Sequence, residues 1–323
     1  MSTVRMQDSY SGMTPALPPA SRSVLRQLWH DRWIYLFLAP SLLLFVLFVL
    51  YPVVSSLYFS LLDWNGFTSN ARFIGLDNYI EVANDPLFWN AFNNTILFMV
   101  ITVPIRVSLA LIVAIILNDP RLPFANLFRT ALFLPVITTT AIIGVVMTFV
   151  FDPVGGPVNR FLLETGLVDR PINFLGQANS ALYTAMGIHI WKWFGVTLVY
   201  WLAALQTVPK ELYEAAQVDG ANPRQVFRYI TVPVLLPFGL LILVITALDT
   251  LRVFDLILTL TGGGPFLRTE VVEVYIYRWA FNSSIPRLGY ASAAAVFFGL
   301  ATLALAAMQG VVVAYLRRKR NEL

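Results

Sequence analysis

Six apolar runs, roughly residues 34–57, 92–117, 127–150, 181–205, 233–260 and 290–316, divide this chain. Each is long enough to cross a hydrocarbon core of ~30 Å as a helix. Composition agrees: 58% of the 323 residues are hydrophobic and only 12% are charged, whereas soluble domains carry about 25% charged residues. Mean hydropathy is +0.70. The missing charge fits an outer surface facing lipid, and the sequence predicts an all-α polytopic membrane protein with six transmembrane helices.

The basic residues orient it. With the N-terminus in the cytoplasm, the cytoplasmic segments carry Arg5, Arg22, Arg26, Arg32, Arg121, Arg129, Lys210, Arg224, Arg228, Arg317, Arg318, Lys319 and Arg320. The opposite side carries Arg72, Arg160, Arg170, Arg268, Arg278 and Arg287. That bias places both termini in the cytoplasm by the positive-inside rule. It also accounts for the net charge of +4 without a nucleic-acid partner. The first run is too long for a signal-peptide core and lacks a small-x-small cleavage site, so it reads as an uncleaved span. No cysteine is present, which excludes disulfides and thiolate metal sites.

Between the spans, residues 1–28 lack apolar periodicity and read as a mobile tail. Asp63 to Asn90 is polar and aromatic and should lie outside, with Phe88 and Trp89 in the interfacial aromatic belt. Asn118-Asp119-Pro120-Arg121-Leu122-Pro123 reads as a short cytoplasmic turn. Val158 to Leu167 reads as a short surface helix.

One polar segment needs a task beyond anchoring. Between the fourth and fifth runs, Pro209 suits a first helical turn, and Lys210 to Val218 contains good helix formers. Gly220 can take the left-handed conformation that ends a helix, and Asn222-Pro223 restarts one through Tyr229. The small residues Ala215, Ala216 and Ala221 allow a partner to approach closely. A second unusual segment is Leu260-Thr261-Gly262-Gly263-Gly264-Pro265 at the outer end of the fifth run. Its glycines permit a sharp turn close to a docked protein. It is no phosphate loop, because no Lys-Ser or Lys-Thr follows.

The stretch Gln206 to Pro237, with Glu214-Ala215-Ala216-Gln217-Val218-Asp219-Gly220-Ala221 at its centre, resembles the EAA loop of binding-protein-dependent ABC importer permeases, and most closely that of the maltose-type sugar permeases. The glycine segment resembles the LTGGGP segment of the same proteins. Weaker matches are Tyr35 to Pro40, Phe73 to Tyr79, Phe128 to Pro135 and Leu288 to Ala293. The resemblance covers roughly 34–317 and implies the type I ABC importer permease fold in its minimal six-span form. It implies that Glu214, Ala215, Ala216, Asp219, Gly220 and Ala221 couple to a cytoplasmic ATPase. Glu214 would make a charge-assisted contact, Asp219 would brace the loop and Gly220 would form the turn. It implies a binding-protein docking role for Gly262, Gly263, Gly264 and Pro265. The implied partners are a second related permease, an ATPase homodimer and an extracytoplasmic solute-binding protein, in a bacterial or archaeal cytoplasmic membrane. The implied cargo is a sugar moved by alternating access. ATP and Mg would be bound by the partner ATPase, with no cofactor, metal or catalytic residue in this chain.

The organisation expected is a cytoplasmic tail over 1–33, the first transmembrane helix and outer loop over 34–90, a core domain over 91–317 with the coupling loop at 207–232, and a basic tail over 318–323.

Charges within spans need a reason, since each costs ~2.5–3.5 kcal/mol at a helix centre. Asp249, Arg252 and Asp255 recur every three residues in the fifth run, which predicts a stripe along one side of a helix. Two readings stand open: a structural ion network, or a polar stripe facing a central pathway. The fourth run holds His189, Trp191, Lys192, Trp193, Tyr200 and Trp201. Trp191, Lys192, Trp193 and Tyr200 are candidates for the pathway, against the plainer reading of aromatic packing. His189 has no second His nearby and reads as an interior hydrogen-bonded group. Arg106 either pairs with a carboxylate or reaches a lumen.

Two other function classes fit less well. An ion-gradient-driven carrier could use Asp249 and Asp255, but would leave the EAA loop without a task. A membrane-embedded enzyme would need a motif such as HExxH or G-x-S-x-G, and neither occurs.

Overall fold

The computed structural model describes residues 32–119 and 121–321, and nearly every one of its regular elements is a helix. The tail expected before residue 32, Pro120 and the last two residues of the basic tail lie outside the described residues. The chain divides into two units between Ser55 and Ser56.

The first unit is the opening helix. It comprises α1 (Arg32–Phe45), one π turn (Val46–Leu50) and the start of α2 (Tyr51–Phe59). A second π turn occurs far along the chain, at Phe227–Thr231. Each is followed by a single residue and then a proline, Pro52 and Pro233, and in each that single residue donates five positions back, Tyr51 to Val46 and Val232 to Phe227. A proline ring clashes with the carbonyl four residues before it and has no N–H to offer that carbonyl. Widening the preceding turn relieves the clash while the helix continues.

The second unit takes in the end of α2 and then a minimal hairpin, β1 (Leu62–Asp63) against β2 (Arg72–Phe73), Leu62 opposite Phe73. Helices follow: α3 (Asp77–Asn84), α4 (Pro86–Leu117), α5 (Ala125–Ile137), α6 (Thr140–Val150), α7 (Pro157–Glu164) and α8 (Ala181–Leu205). Next come α9 (Lys210–Val218), α10 (Pro223–Val226), the second π turn, α11 (Val232–Thr250), α12 (Phe254–Leu260), α13 (Val272–Phe281) and α14 (Leu288–Asn321).

Among the described residues five continuous helices are long and apolar enough to cross a membrane: Trp33–Phe59, Pro86–Leu117, Ala181–Leu205, Pro223–Thr250 and Leu288–Val311. The pair α5 and α6, bent by 99°, makes a sixth when it is counted as one broken span. The core of the second unit is organised around α4. Its Phe88, Met99 and Val103 pack with Tyr275, Tyr290 and Phe298. Its Phe98 joins Ile143, Ile188, Leu256 and Val274. Its Ala110, Ala114 and Leu117 join Leu198, Trp201, Leu205 and Leu235. Lipid is as apolar as these side chains, so close packing rather than water exclusion holds spans together. At Gly195 two helix backbones approach closely: a Cβ there would lie 2.6 Å from the carbonyl oxygen of Leu132.

The structure departs from the sequence-based expectations at four places. Phe88 does not sit in an exposed belt but is fully buried, while Trp89 stays partly exposed. The third span is broken at Thr138 and Thr139, both in extended conformation. The second helix of the polar loop does not stop near Tyr229, because it runs without interruption into the fifth span as Pro223–Thr250. That span ends at Thr250 instead of reaching 260, and α12 restarts after a break at 251–253. The single-helix stripe Asp249–Arg252–Asp255 is therefore corrected: Asp249 lies in the last turn of one helix, Arg252 in the break, and Asp255 in the first turn of the next.

Candidate functional site

The loop between α8 and α11 is built by local rules. After α9, Gly220 takes φ +71°. The N–H of Ala221 bonds the carbonyl of Ala216 at 2.9 Å, and that of Gly220 bonds Gln217 at 3.1 Å. This is a Schellman end, which closes the orphan carbonyls of a helix and favours glycine at the left-handed position. Asn222 then forms a reciprocal capping box with Gln225: the Gln225 N–H donates to Asn222 Oδ1 at 2.9 Å and the Asn222 N–H to Gln225 Oε1 at 2.8 Å. Tyr213 Oη meets Thr231 Oγ1 at 3.2 Å and ties α9 to the base of the fifth span. Ala216 is buried in this joint, whereas Glu214, Ala215, Asp219 and Gly220 are exposed and Ala221 is partly so. Val218 is 89% exposed and Tyr229 72% exposed, an unusual cost for apolar groups on a tightly capped loop. Beside Tyr229 lies a cleft of about 370 Å³ that Asp219, Gly220 and Ala221 also line.

The glycine segment ends α12. Gly262 (φ +60°) donates to Ile257 O at 2.9 Å, and Gly263 follows at φ +89°. Gly264 joins Pro265 through a cis peptide bond. Phe266 and Leu267 also adopt left-handed conformations, at φ 52° and 59°. Such values cost L-residues roughly 1–2 kcal/mol each, so the surroundings must impose them. The imposing groups are identifiable. Thr269 Oγ1 donates to Gly264 O at 2.6 Å. Asn90 Nδ2 donates to Leu267 O at 2.8 Å, and Asn94 Nδ2 to the carbonyls of Arg268 and Glu270 at 3.1 and 2.9 Å. The turn thus holds Phe266 in the open, 92% exposed.

The span charges fall into separate groups. Arg106, buried in α4, places Nη2 3.8 Å from Asp249 Oδ2 and Nη1 3.3 Å from His189 Nε2. This group borders a cavity of about 140 Å³ that Trp193, Tyr200 and Asp249 also line. On its other side Asp249 joins Arg252 and Glu273 around a cleft of about 630 Å³. Asp255 and Trp191 are exposed and line neither space. Lys192 is buried, and its ammonium is bonded to backbone carbonyls on the third span. The structure therefore brings together Trp193, Tyr200 and Asp249 with Arg106, and Asp249 with Arg252. Trp191 and Asp255 stand apart, and Lys192 meets the group through the ring of Trp193, 4.7 Å from its Nζ.

The model of the family described as "Binding-protein-dependent transport system inner membrane component" matches residues 95–319, well over half of the chain. The chain belongs to this family. The family's matched stretch opens within α4 and contains the capped loop, both broken spans and the glycine turn. The chain is 36% identical over 276 residues to the "Probable ABC transporter permease protein YurN" of Bacillus subtilis (strain 168), covering 85% of this chain and 94% of that one. It is 34% identical over 291 residues to the "Lactose transport system permease protein LacF" of Rhizobium radiobacter, covering 90% and 96%. In fold it is similar to a chain of the bacterial alginate ABC transporter crystallised with a periplasmic protein bound to alginate pentasaccharide. The TM-score is 0.77 at 23% identity, over 89% of this chain and 96% of that chain. As a member of the family the protein is a multi-pass membrane permease with the ABC importer permease fold.

Sequence reasoning missed the cluster that ties this permease together at the end opposite the capped loop. Asp85 caps α4, accepting from the Leu87 N–H at 2.8 Å through Oδ1. Its Oδ2 accepts from the hydroxyls of Tyr275 and Tyr290, the latter at 3.0 Å. Burial first, and then the Asp85 carboxylate, push the Tyr275 phenol well above its ordinary range. Arg287 grips Glu81 with two bonds of 2.6 Å, and that pair holds its guanidinium above the usual value. Glu273 Oε2 accepts from the Phe254 N–H at 2.9 Å and so caps the restarted fifth span, while burial raises its carboxyl above the normal range. These residues were invisible as a group because Asp85 and Tyr275 are 190 positions apart.

Proposed function

We propose that this permease is the membrane-spanning subunit of an ATP-driven importer of sugars. The observation that carries this reading is the exposed, doubly capped loop at 210–222, continuous with a helix that spans to Thr250, in a chain of the binding-protein-dependent transport family. Such a loop presents Glu214, Ala215 and the cleft beside Tyr229 to a partner and hands any displacement to a span. The partner is an ATPase homodimer in the cytoplasm, which binds the ATP and Mg. A second related permease completes the pathway, and both termini lie in the cytoplasm of a bacterial or archaeal cell. At the other end, the turn at Gly262–Pro265 with Phe266 at its tip receives a solute-binding protein. The polar spaces beside Asp249, with Trp193 and Tyr200 on one side and Arg252 on the other, offer donors, acceptors and ring faces of the kind sugar hydroxyls and sugar rings use. Substrate delivery and ATP binding shift the permease between two conformations that each ligand stabilises differently.

The test is affinity purification of the tagged chain in mild detergent with mass spectrometry of what accompanies it, followed by reconstitution. An ATPase and a second permease should copurify, and Glu214→Lys should leave membrane insertion intact while separating ATP hydrolysis from uptake. Isolation of this chain alone, still transporting in sealed vesicles without ATP, would overturn the reading in favour of a gradient-driven carrier.

A further inference from the structure

Lys192 is a buried cation that no transport step described so far uses. Its Nζ donates to the carbonyls of Thr138 at 2.7 Å, Pro135 at 3.3 Å and Val136 at 3.5 Å. These are carbonyls of the last turn of α5 and of Thr138, the residue that caps it, at the point where the third span turns by 99°. Among the described residues no carboxylate lies within ion-pair distance of it. Its other partner is the ring of Trp193, 4.7 Å away. A helix that stops inside a membrane leaves its final carbonyls without N–H partners, and these carbonyls form the negative end of the helix dipole. One ammonium from a neighbouring span answers both needs. A charge in this setting is expensive, and a chain needing only a kink already has Pro135 and extended Thr138 and Thr139.

We propose that Lys192 is the positioning residue of the third span: its charge fixes the angle between α5 and α6 and carries movement of α8 into α6 during transport. This rests on the importer reading for its transport role, but the fixed angle is a property of the chain itself. Two features support a transmitted movement. Gly195, one turn further along α8, already lies against the backbone of α5, so α8 and α5 cannot slide independently. On the far side of the bend, Gly144 of α6 is packed so tightly on Thr259 that a Cβ would fall 1.9 Å from its Oγ1. The outer half of the third span is thereby joined to α12, the part of the fifth span beyond its break.

The chain has no cysteine, so paired nitroxide labels can be placed at Val146→Cys and Val199→Cys, both exposed. Pulsed electron spin resonance would then give their distance in the reconstituted complex, without nucleotide and with ATP and vanadate. Native Lys192 should give a narrow distribution with the same mean in both states, because α6 follows α8. Lys192→Met should at least double its width and let its mean move between the states while the complex still assembles, and Lys192→Arg should restore the narrow, unmoved distribution. A native width and an unmoved mean in Lys192→Met would overturn the proposal. If that variant does not assemble, Lys192→Gln keeps a donor without the charge. It should behave as Lys192→Met is expected to, and a native response in Lys192→Gln would overturn the proposal equally. A complex that does not hydrolyse ATP would count against the importer reading, and the widths alone would then decide the positioning role.

Discussion

Arg278 closes a fork around Glu270, with Nε 2.7 Å from Oε1 and Nη2 3.1 Å from Oε2, and the carboxylate it holds is wholly buried at the end of the glycine turn. Burial, helped by the charge of Asp85, pushes the Glu270 carboxyl above its ordinary range, and Arg278 opposes that rise.

Arg278→Gln should therefore destabilise the protein by about 3 kcal/mol, the cost of leaving a buried charge without its partner. The Glu270 carboxyl then rises further. A carboxyl whose folded value lies above its unfolded one binds more protons in the folded state, so stability falls as pH rises between the two values. Thermal unfolding in detergent should show the variant losing stability from mildly acidic to neutral pH more steeply than the native chain.

Asp85 serves α4 as cap and two tyrosines as acceptor. Asp85→Ala should cost about 2–3 kcal/mol by thermal unfolding, combining a lost cap with a buried tyrosine O–H left without an acceptor, since only one of the two hydroxyls can donate to the other. Asp85→Asn retains a capping oxygen and should lose less than half as much.

Phe266 combines a left-handed backbone with nearly full exposure. Phe266→Gly relieves the strain at a modest entropic cost, so the thermal midpoint should move by no more than ~1 kcal/mol equivalent. If the tip receives a binding protein, stimulation of ATP hydrolysis by that protein should fall at least tenfold. Unchanged stimulation would remove the docking role from Phe266.

Gly144→Ala drives a methyl group into Thr259 and should cost about 1–3 kcal/mol, the usual range for overpacking. Removing the clashing hydroxyl with Thr259→Ala should recover part of this, because a Cβ–Cβ separation of 3.0 Å remains tight. A double-mutant cycle on thermal unfolding measures the coupling.

What could be seen in the sequence was whatever is decided locally. Pro209, Gly220 and the Asn222–Pro223 pair announce their helix ends by themselves, and α9 ends where they say. The span count was visible for a similar reason, since each run carries its own length. The two breaks were hidden for opposite reasons. The third span advertised its bend through Pro135 and three successive threonines, but apolar length outweighed that signal. The fifth has neither proline nor glycine at 251–253, and the carboxylate that caps its restart, Glu273, comes 19 residues later. Asp249, Arg252 and Asp255 looked like one stripe because helical arithmetic assumes an unbroken helix. Arg106 found its carboxylate in Asp249, a pairing that spacing could not specify.

The uninterrupted helix from Pro223 to Thr250 has a mechanical corollary. Its 28 residues make a rod of about 42 Å at 1.5 Å per residue. Pivoted near its π turn, the part up to Thr250 is an arm of about 30 Å, and a tilt of ~5° would sweep its tip through roughly 3 Å. The loop is then the short arm of a lever and Asp249 rides near the tip of the long arm. The π turn at Phe227–Thr231 sits beside the fulcrum, where a widened, proline-followed turn makes the shaft most compliant. Stiffening that turn, by replacing Pro233 with alanine, would change how much travel reaches the tip without altering any residue at either end.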